Sequence, residues 1–523
     1  MKLRNLAVIF CTASALLAAC SSDDDSGSNG SGAGSGGKNT AGSAGKSGAA
    51  GTSGTGGSAG LSIGGSAGEG GELESAGAGG VPGEGGESGE GGEGGTAIGE
   101  RFTVTLENVA PSKACTSSGA FDTPVGDSAA GPAIPGKTYK FTVDAGRKQK
   151  LFFATMLGAS NDLFFAPGGE GIPLYLDNGS PISADVTNQV YLWDAGTELN
   201  EEPFLGPNTV INQGALNTGI VDTNTKVRKI AAASEGFVFA YPAVASLIKV
   251  TVTHTTGTLF DVTIDALSTA ALTTGDLVSH PSPISPGVWA VSSSANLLFT
   301  EQVALPAHGL EALAEDGKPA ALVAYLAANT GVTYPTSPGV WLLHRAGTKP
   351  LFTAGAADLG KGLEALAEDG NVTSLAANLA SLSGYLKGNI FDTPAGATKP
   401  GPILPGSKYQ FTFDASPGDA LSFASMLAAT NDVFLGTKDV GIPLFDDDGV
   451  ALTGDISNQL YLWDAGTEAN EKPAIGLNTV TNQLTANTGA AGEGKVQLLS
   501  AVTSDTFSYP SAQSVLKATI AKN

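Results

Sequence analysis

Two aspartates recur at matching places in the two halves of this sequence. Asp162 follows the run LFFATMLGASN and Asp194 follows QVYLW; their counterparts are Asp432 and Asp464. Each ends an apolar, strand-like run beside a turn, so the carboxylates can converge on one rim of a sheet. Calcium takes about six to eight oxygen ligands and mixes carboxylates with loop carbonyls and water, which suits such a rim. Gly196 and Gly466 follow two residues later and let the chain turn sharply, bringing carbonyl oxygens to the same point. Asp side chains also cap turns through local backbone hydrogen bonds, and spacing alone leaves both roles open. Glu198, Glu201, Glu468 and Glu471 lie in the same loops and read as a solvated face. Asp446-Asp447-Asp448 before Gly449 reads as a hairpin turn rather than a calcium loop.

Signals for other chemistry are poor. The four His (254, 280, 308, 344) are scattered, no HExxH or GxSxG occurs, and no P-loop follows a strand. A metal-dependent hydrolase at Asp162 and Asp194 would need a dedicated base, and none stands out. The expectation is therefore a protein that is not an enzyme.

The elements that must position these acids are duplicated. Residues 121–213 and 391–483 repeat each other at a constant offset of 270, from FDTP through YLWDAGTE to NE(E/K)P. Within each copy, YKFTVDA, KLFFATML, QVYLWDA and SLIKVTVT are short β-rich runs bounded by PG, DNG, DDDG and AGT turns. Such a pattern predicts antiparallel sandwiches. Trp193 and Trp463 are expected in the core. A second unit, PGVW followed by a LEALAEDG helix, occurs twice between the copies, at 286–325 and 338–381. Its acids Glu315/Asp316 and Glu368/Asp369 should end the helix before Gly317 and Gly370.

The fold expected is mostly β: two tandem antiparallel β-sandwiches with short accessory helices, preceded by a disordered Gly-rich tether. The boundaries read as 1–19 signal, 20–100 tether, 101–256 first and incomplete sandwich, and 257–523 second sandwich with the doubled unit. The strand FTVTLENV (102–109) opens the first copy on this reading and FDVTIDAL (259–266) the second. The surplus unit at 284–330 is expected to pack on the first sandwich, supplying what that copy lacks.

Composition sets the wider frame. Of 73 Gly, 31 lie in residues 21–100, where Gly, Ser, Ala and Glu leave too little apolar surface to offset ordering entropy. As a coil this tether would span roughly 45–50 Å. A net charge of −23 argues against a nucleic-acid partner, whose phosphates need basic patches. Lys2 and Arg4 precede an apolar run ending Leu17-Ala18-Ala19-Cys20, a secretory signal too short to serve as a lasting membrane span. This end resembles a bacterial lipobox, which implies lipidation of Cys20. Ser21 at the next position resembles the pattern for the outer membrane, with cell-surface or periplasmic display left open. Only Cys115 then remains as a thiol, without a disulfide partner, and reads as a solvent-facing or partly buried bystander.

SPGVW, PLFTAG, GLEALAEDG, FDTP, LSFASML, ND(L/V)F and YLWDAGTE together resemble the spondin N-terminal domain family, across residues 102–520. The resemblance implies an eight-stranded antiparallel sandwich holding Ca2+. It maps ligands onto Asp162 and Asp194, and onto Asp432 and Asp464. It maps a third, by counting back from the following strand, onto Asp144 and Asp414, with Asp419 a nearby alternative in the second copy. The function expected is a membrane-anchored, calcium-binding adhesion or recognition module with a protein or glycan ligand. The alternative is a passive structural envelope lipoprotein whose ions only stabilise loops.

Overall fold

The structure, a computed structural model, describes residues 99–230, 239–502 and 507–523; the signal segment, Cys20 and the tether to residue 98 lie outside the described residues. The described chain is mostly β, in antiparallel sheets with a few short helices.

Each sandwich pairs a small sheet with a large one. In the first, the small sheet runs in the order Thr138–Asp144, Leu259–Ala266, Ile248–Thr256, Ser183–Asp185. Its large sheet runs Ser117–Phe121, Ile284–Ser292, Lys150–Leu157, Leu163–Pro167, Val190–Asp194, Arg228–Lys229. In the second, the small sheet is Lys408–Ala415, Glu100–Asn108, Leu516–Lys522, Gly454–Asp455. The large sheet is Tyr385–Phe391, Thr336–Arg345, Asp419–Leu427, Val433–Gly436, Tyr461–Asp464, Gln497–Leu498.

Side-chain periodicity explains the layers. In the small sheets, alternate residues face the core: Phe102, Val104 and Leu106 are buried, as are Phe260, Val262 and Ile264, while the Thr between them are half-buried. The strand Asp419–Leu427 is buried on both faces, and Lys150–Leu157 nearly so. One face meets the small sheet; the other meets a helical layer. In the first sandwich, Leu310 and Leu313 of the helix Leu310–Asp316 and Leu322 of the helix Ala320–Ala328 pack on Phe152, Phe164 and Trp193. In the second, Leu363, Leu366 and Leu375 cover Phe434 and Trp463. Trp193 and Trp463 thus lie in the core beneath the helices. Gly317, at φ 64°, ends its helix by donating its N–H to Leu313 O, and Gly370 does the same to Leu366 O.

The strand pairing corrects the expected boundaries. Glu100–Asn108, expected in the first sandwich, lies between Lys408–Ala415 and Leu516–Lys522 of the second. Leu259–Ala266, expected to open the second, pairs with Thr138–Asp144 and Ile248–Thr256 of the first. The reason is local: Gly257, at φ 57°, turns Ile248–Thr256 directly back into Leu259–Ala266 as a tight hairpin. The unit at 284–330 joins the first sandwich, where Ile284–Ser292 pairs with both Ser117–Phe121 and Lys150–Leu157. The first sandwich is therefore not an incomplete copy. It occupies residues 113–330, inserted between the first strand of the second sandwich and the rest of that sandwich.

At the insertion neck the chain enters and leaves side by side. Ala114 N–H donates to Asn329 O, and Gly331 N–H to Cys115 O. Buried Asn108 secures the neck, its Nδ2 donating to Tyr334 O (2.8 Å) and Ile403 O (3.2 Å). Cys115 is buried here, 3.2 Å from Thr330 Oγ1, rather than facing solvent; burial pushes its thiol up. The sandwiches pack head to tail. Arg147 Nη1 donates to Leu477 O, Gln149 Nε2 to Ala474 O, and Lys148 N–H to Asn482 Oδ1.

Candidate metal centre

Antiparallel pairing brings the two acids of each copy together. Leu163 is the register partner of Asp194, and Ala195 N–H donates to Asp162 O, so Asp162 and Asp194 sit at the same end of adjacent strands. Val433 opposite Asp464, with Ala465 N–H on Asp432 O, repeats this in the second copy. The two aspartates of each sandwich are therefore adjacent, as the sequence reading expects.

The loop after the second Asp wraps back over the first. Asp162 Oδ2 accepts from Thr197 N–H and Glu198 N–H, both at 3.2 Å; Asp432 Oδ2 accepts from Thr467 and Glu468 N–H at 3.0 Å. Gly196 N–H donates to Asp194 Oδ1 at 2.6 Å, and Gly466 N–H to Asp464 Oδ1 at 2.6 Å. Both glycines have positive φ, and a Cβ at Gly196 would come within 2.7 Å of Lys226 O.

Asp162 and Asp432 are 0% exposed. Their Oδ1 atoms have no hydrogen-bond partner among the described residues. A buried carboxylate oxygen left unpaired costs free energy and calls for a donor or a cation. Burial, then the neighbouring Asp194, raises the Asp162 carboxyl well above the carboxylate range, although the Glu198 and Thr197 N–H groups oppose this. Burial and the Asp464 charge push Asp432 up to about 8. Asp194 and Asp464 are raised too, chiefly by burial.

Two further acids in each copy belong to this neighbourhood. Glu198 and Glu468, read from sequence as solvated, are 3% and 5% exposed. Glu198 Oε1 accepts from Gly219 N–H at 2.7 Å, and Glu468 Oε1 from Gly489 N–H at 2.6 Å. Glu315 and Glu368 point inward from the helices, and burial pushes each up to about 7, with Glu198 or Glu468 adding repulsion and the Thr197 or Thr467 hydroxyl opposing it. Glu315 Oε2 also lacks a partner. The local cue to these acids is spacing: Glu198 lies two residues after Gly196 and Glu315 two residues before Gly317, both glycines of positive φ. Glu201 and Glu471 instead bond the main chain and side chain of Asn208 and Asn478. Asp446 caps its own turn, accepting from Asp448 and Val450 N–H.

The third ligands mapped by resemblance are elsewhere. Asp144 accepts from Thr258 Oγ1 and pairs with Lys472 Nζ at 2.7 Å; Asp414 faces Arg101 at 3.7 Å, half exposed. Asp419 pairs with Arg345 at 2.8 Å. Asp144 precedes the strand Lys150–Leu157 and Asp162 follows it, so about eight residues of extended chain, roughly 25 Å, lie between them. Counting back along the chain therefore reached the opposite end of the sandwich.

Among the described residues, no three His, Cys, Asp or Glu side chains stand as a ready-made metal-ligand set. The donors present are all oxygen, with unpaired buried Oδ1 atoms and mutually repelling acids, which fits a hard divalent cation. Asp162 and Asp194 are the adjacent carboxylates that could hold it in one sandwich, and Asp432 and Asp464 in the other. His344 is buried and bonds Thr348 Oγ1 and Ser422 Oγ at 2.9 Å each, so it serves the packing of the second sandwich. No helix of the described residues is long and apolar enough to cross a membrane. No protein-family model matches the chain, and no curated protein matches it.

Proposed function

We propose that this chain is a spondin-like, calcium-binding module held to a bacterial outer membrane through a lipid on Cys20, and that it serves adhesion or recognition of a protein or glycan. One observation carries the calcium reading: each sandwich buries a pair of adjacent aspartates and leaves one Oδ1 with no partner. A cation there would offset the repulsion and stiffen the loops that follow Asp194 and Asp464. Because both sites are buried, the ion acts on the shape of the rim rather than by meeting a ligand directly. This same burial also favours the second reading, an envelope spacer whose ions only stabilise loops. The lipid anchor rests on Leu17 to Ser21 alone.

Attachment separates the two readings. Cells lacking the protein should lose calcium-dependent adherence to a surface or polysaccharide if it is an adhesin; unchanged adherence would leave the spacer. A glycan array or pull-down with the mature protein would identify the ligand.

A further inference from the structure

The two centres match almost atom for atom until the last strand of each large sheet. Arg228 is the register partner of Asp194, and Gln497 holds the same place opposite Asp464. In the first sandwich, Arg228 Nη2 lies 2.5 Å from Asp194 Oδ2 and 2.6 Å from Asp222 Oδ2. Arg228 Nη1 also donates to Asn224 O at 2.7 Å, so the guanidinium is fixed from several sides. Asp222 N–H donates to Thr197 O; the equivalent bond in the second sandwich is from Gly492 N–H to Thr467 O. Gly492 thus replaces Asp222, and Gln497 replaces Arg228. Both halves of the ion bridge are missing from the second centre, where Asp464 Oδ2 accepts only from the neutral amides of Asn470 (3.1 Å) and Gln497 (3.4 Å) among the described residues.

We infer that the Asp194–Arg228–Asp222 bridge is the first sandwich's built-in substitute for a divalent cation, and that calcium is taken up by the Asp432–Asp464 centre, one ion per chain. The inference rests on the calcium reading above. In the first centre, Gly196 N–H and the guanidinium already occupy the two oxygens of Asp194, and a second cation brought close would be repelled by the first. In the second, the carboxylates of Asp432, Asp464 and Glu468 enter no ion pair among the described residues, and amide dipoles can turn their oxygens toward a metal.

Calcium titration calorimetry on the full chain tests this, with circular dichroism to confirm that each variant is folded. Wild type should bind one ion; Asp432→Asn should abolish that binding and Asp162→Asn should leave it. Gln497→Arg should weaken it at least tenfold, whereas Arg228→Gln combined with Asp222→Gly should raise the stoichiometry to two. Two ions of equal affinity in wild type would overturn the inference alone, as would binding that survives Asp432→Asn and is lost in Asp162→Asn. Absence of binding in wild type and in every variant would overturn the calcium reading and the inference together.

Discussion

Val104 lies directly opposite Phe411 in the small sheet of the second sandwich, although the whole first sandwich separates them along the chain. The strand that opens the folded region therefore completes the sandwich that closes it. Neither partner of the pair is exposed beyond 8%.

Leu106→Ala should consequently destabilise the second sandwich. The side chain is fully buried in its core, and such truncations cost about 2–5 kcal/mol. Hydrogen exchange read by mass spectrometry should show lost protection in residues 408–415 and 516–522, with residues 138–144 unchanged. Loss of protection in 138–144 instead would restore the simple tandem order.

Asn108→Ala tests the neck. Removing the amide takes the Nδ2 donor from Tyr334 O and the Oδ1 acceptor from Ala110 N–H, at a cost of about 1–3 kcal/mol, while Ile403 O keeps the Thr336 N–H. The unfolding midpoint of the second sandwich in urea should fall, with little change in that of the first.

Much of this architecture was legible in the residues, and the failures have physical causes. The Asp pairs could be read because each ends a strand beside a DAGT turn that antiparallel pairing brings back to its neighbour. The assignment of 102–109 and 259–266 could not be read from pattern, since both strands alternate in the same way and either fits either sheet. The cue lay in Gly257, which makes a hairpin with the preceding strand. Asp144 and Asp414 were misplaced although chain order spoke against them: each precedes the strand that Asp162 or Asp432 follows, which sets the two acids about a strand length apart. Glu198 and Glu315 read as solvent-facing or helix-ending acids because burial of a charged residue is set by tertiary packing. The exchange of Asp222 and Arg228 for Gly492 and Gln497 stood in the sequence but acquires meaning only from their register with Asp194 and Asp464.

Gly466→Ala should damage the second centre. Alanine is strained at φ 67°, and its Cβ would overlap Lys495 O, costing at least about 1 kcal/mol from the backbone alone. Thermal unfolding should show the loss, and calcium should restore less stability than in wild type.

Stability of the metal-free chain should fall as pH rises. Asp432 at about 8 and Glu315 and Glu368 at about 7 bind protons more tightly when folded than the ordinary carboxylates of the unfolded chain. Their contribution is full below about pH 4 and is lost as pH rises through 7 to 8. Scanning calorimetry in a chelator should find Asp432→Asn more stable than wild type at pH 8.5 and little different at pH 5. Added calcium should raise the wild-type midpoint far more at pH 8.5 than at pH 5.

The most direct test of the central claim is calcium titration calorimetry of the wild-type chain beside the Asp162→Ala/Asp432→Ala double variant. Saturable binding in wild type that disappears in the variant is the predicted result. Equal binding by the two proteins would rule these aspartates out as ligands and contradict the account.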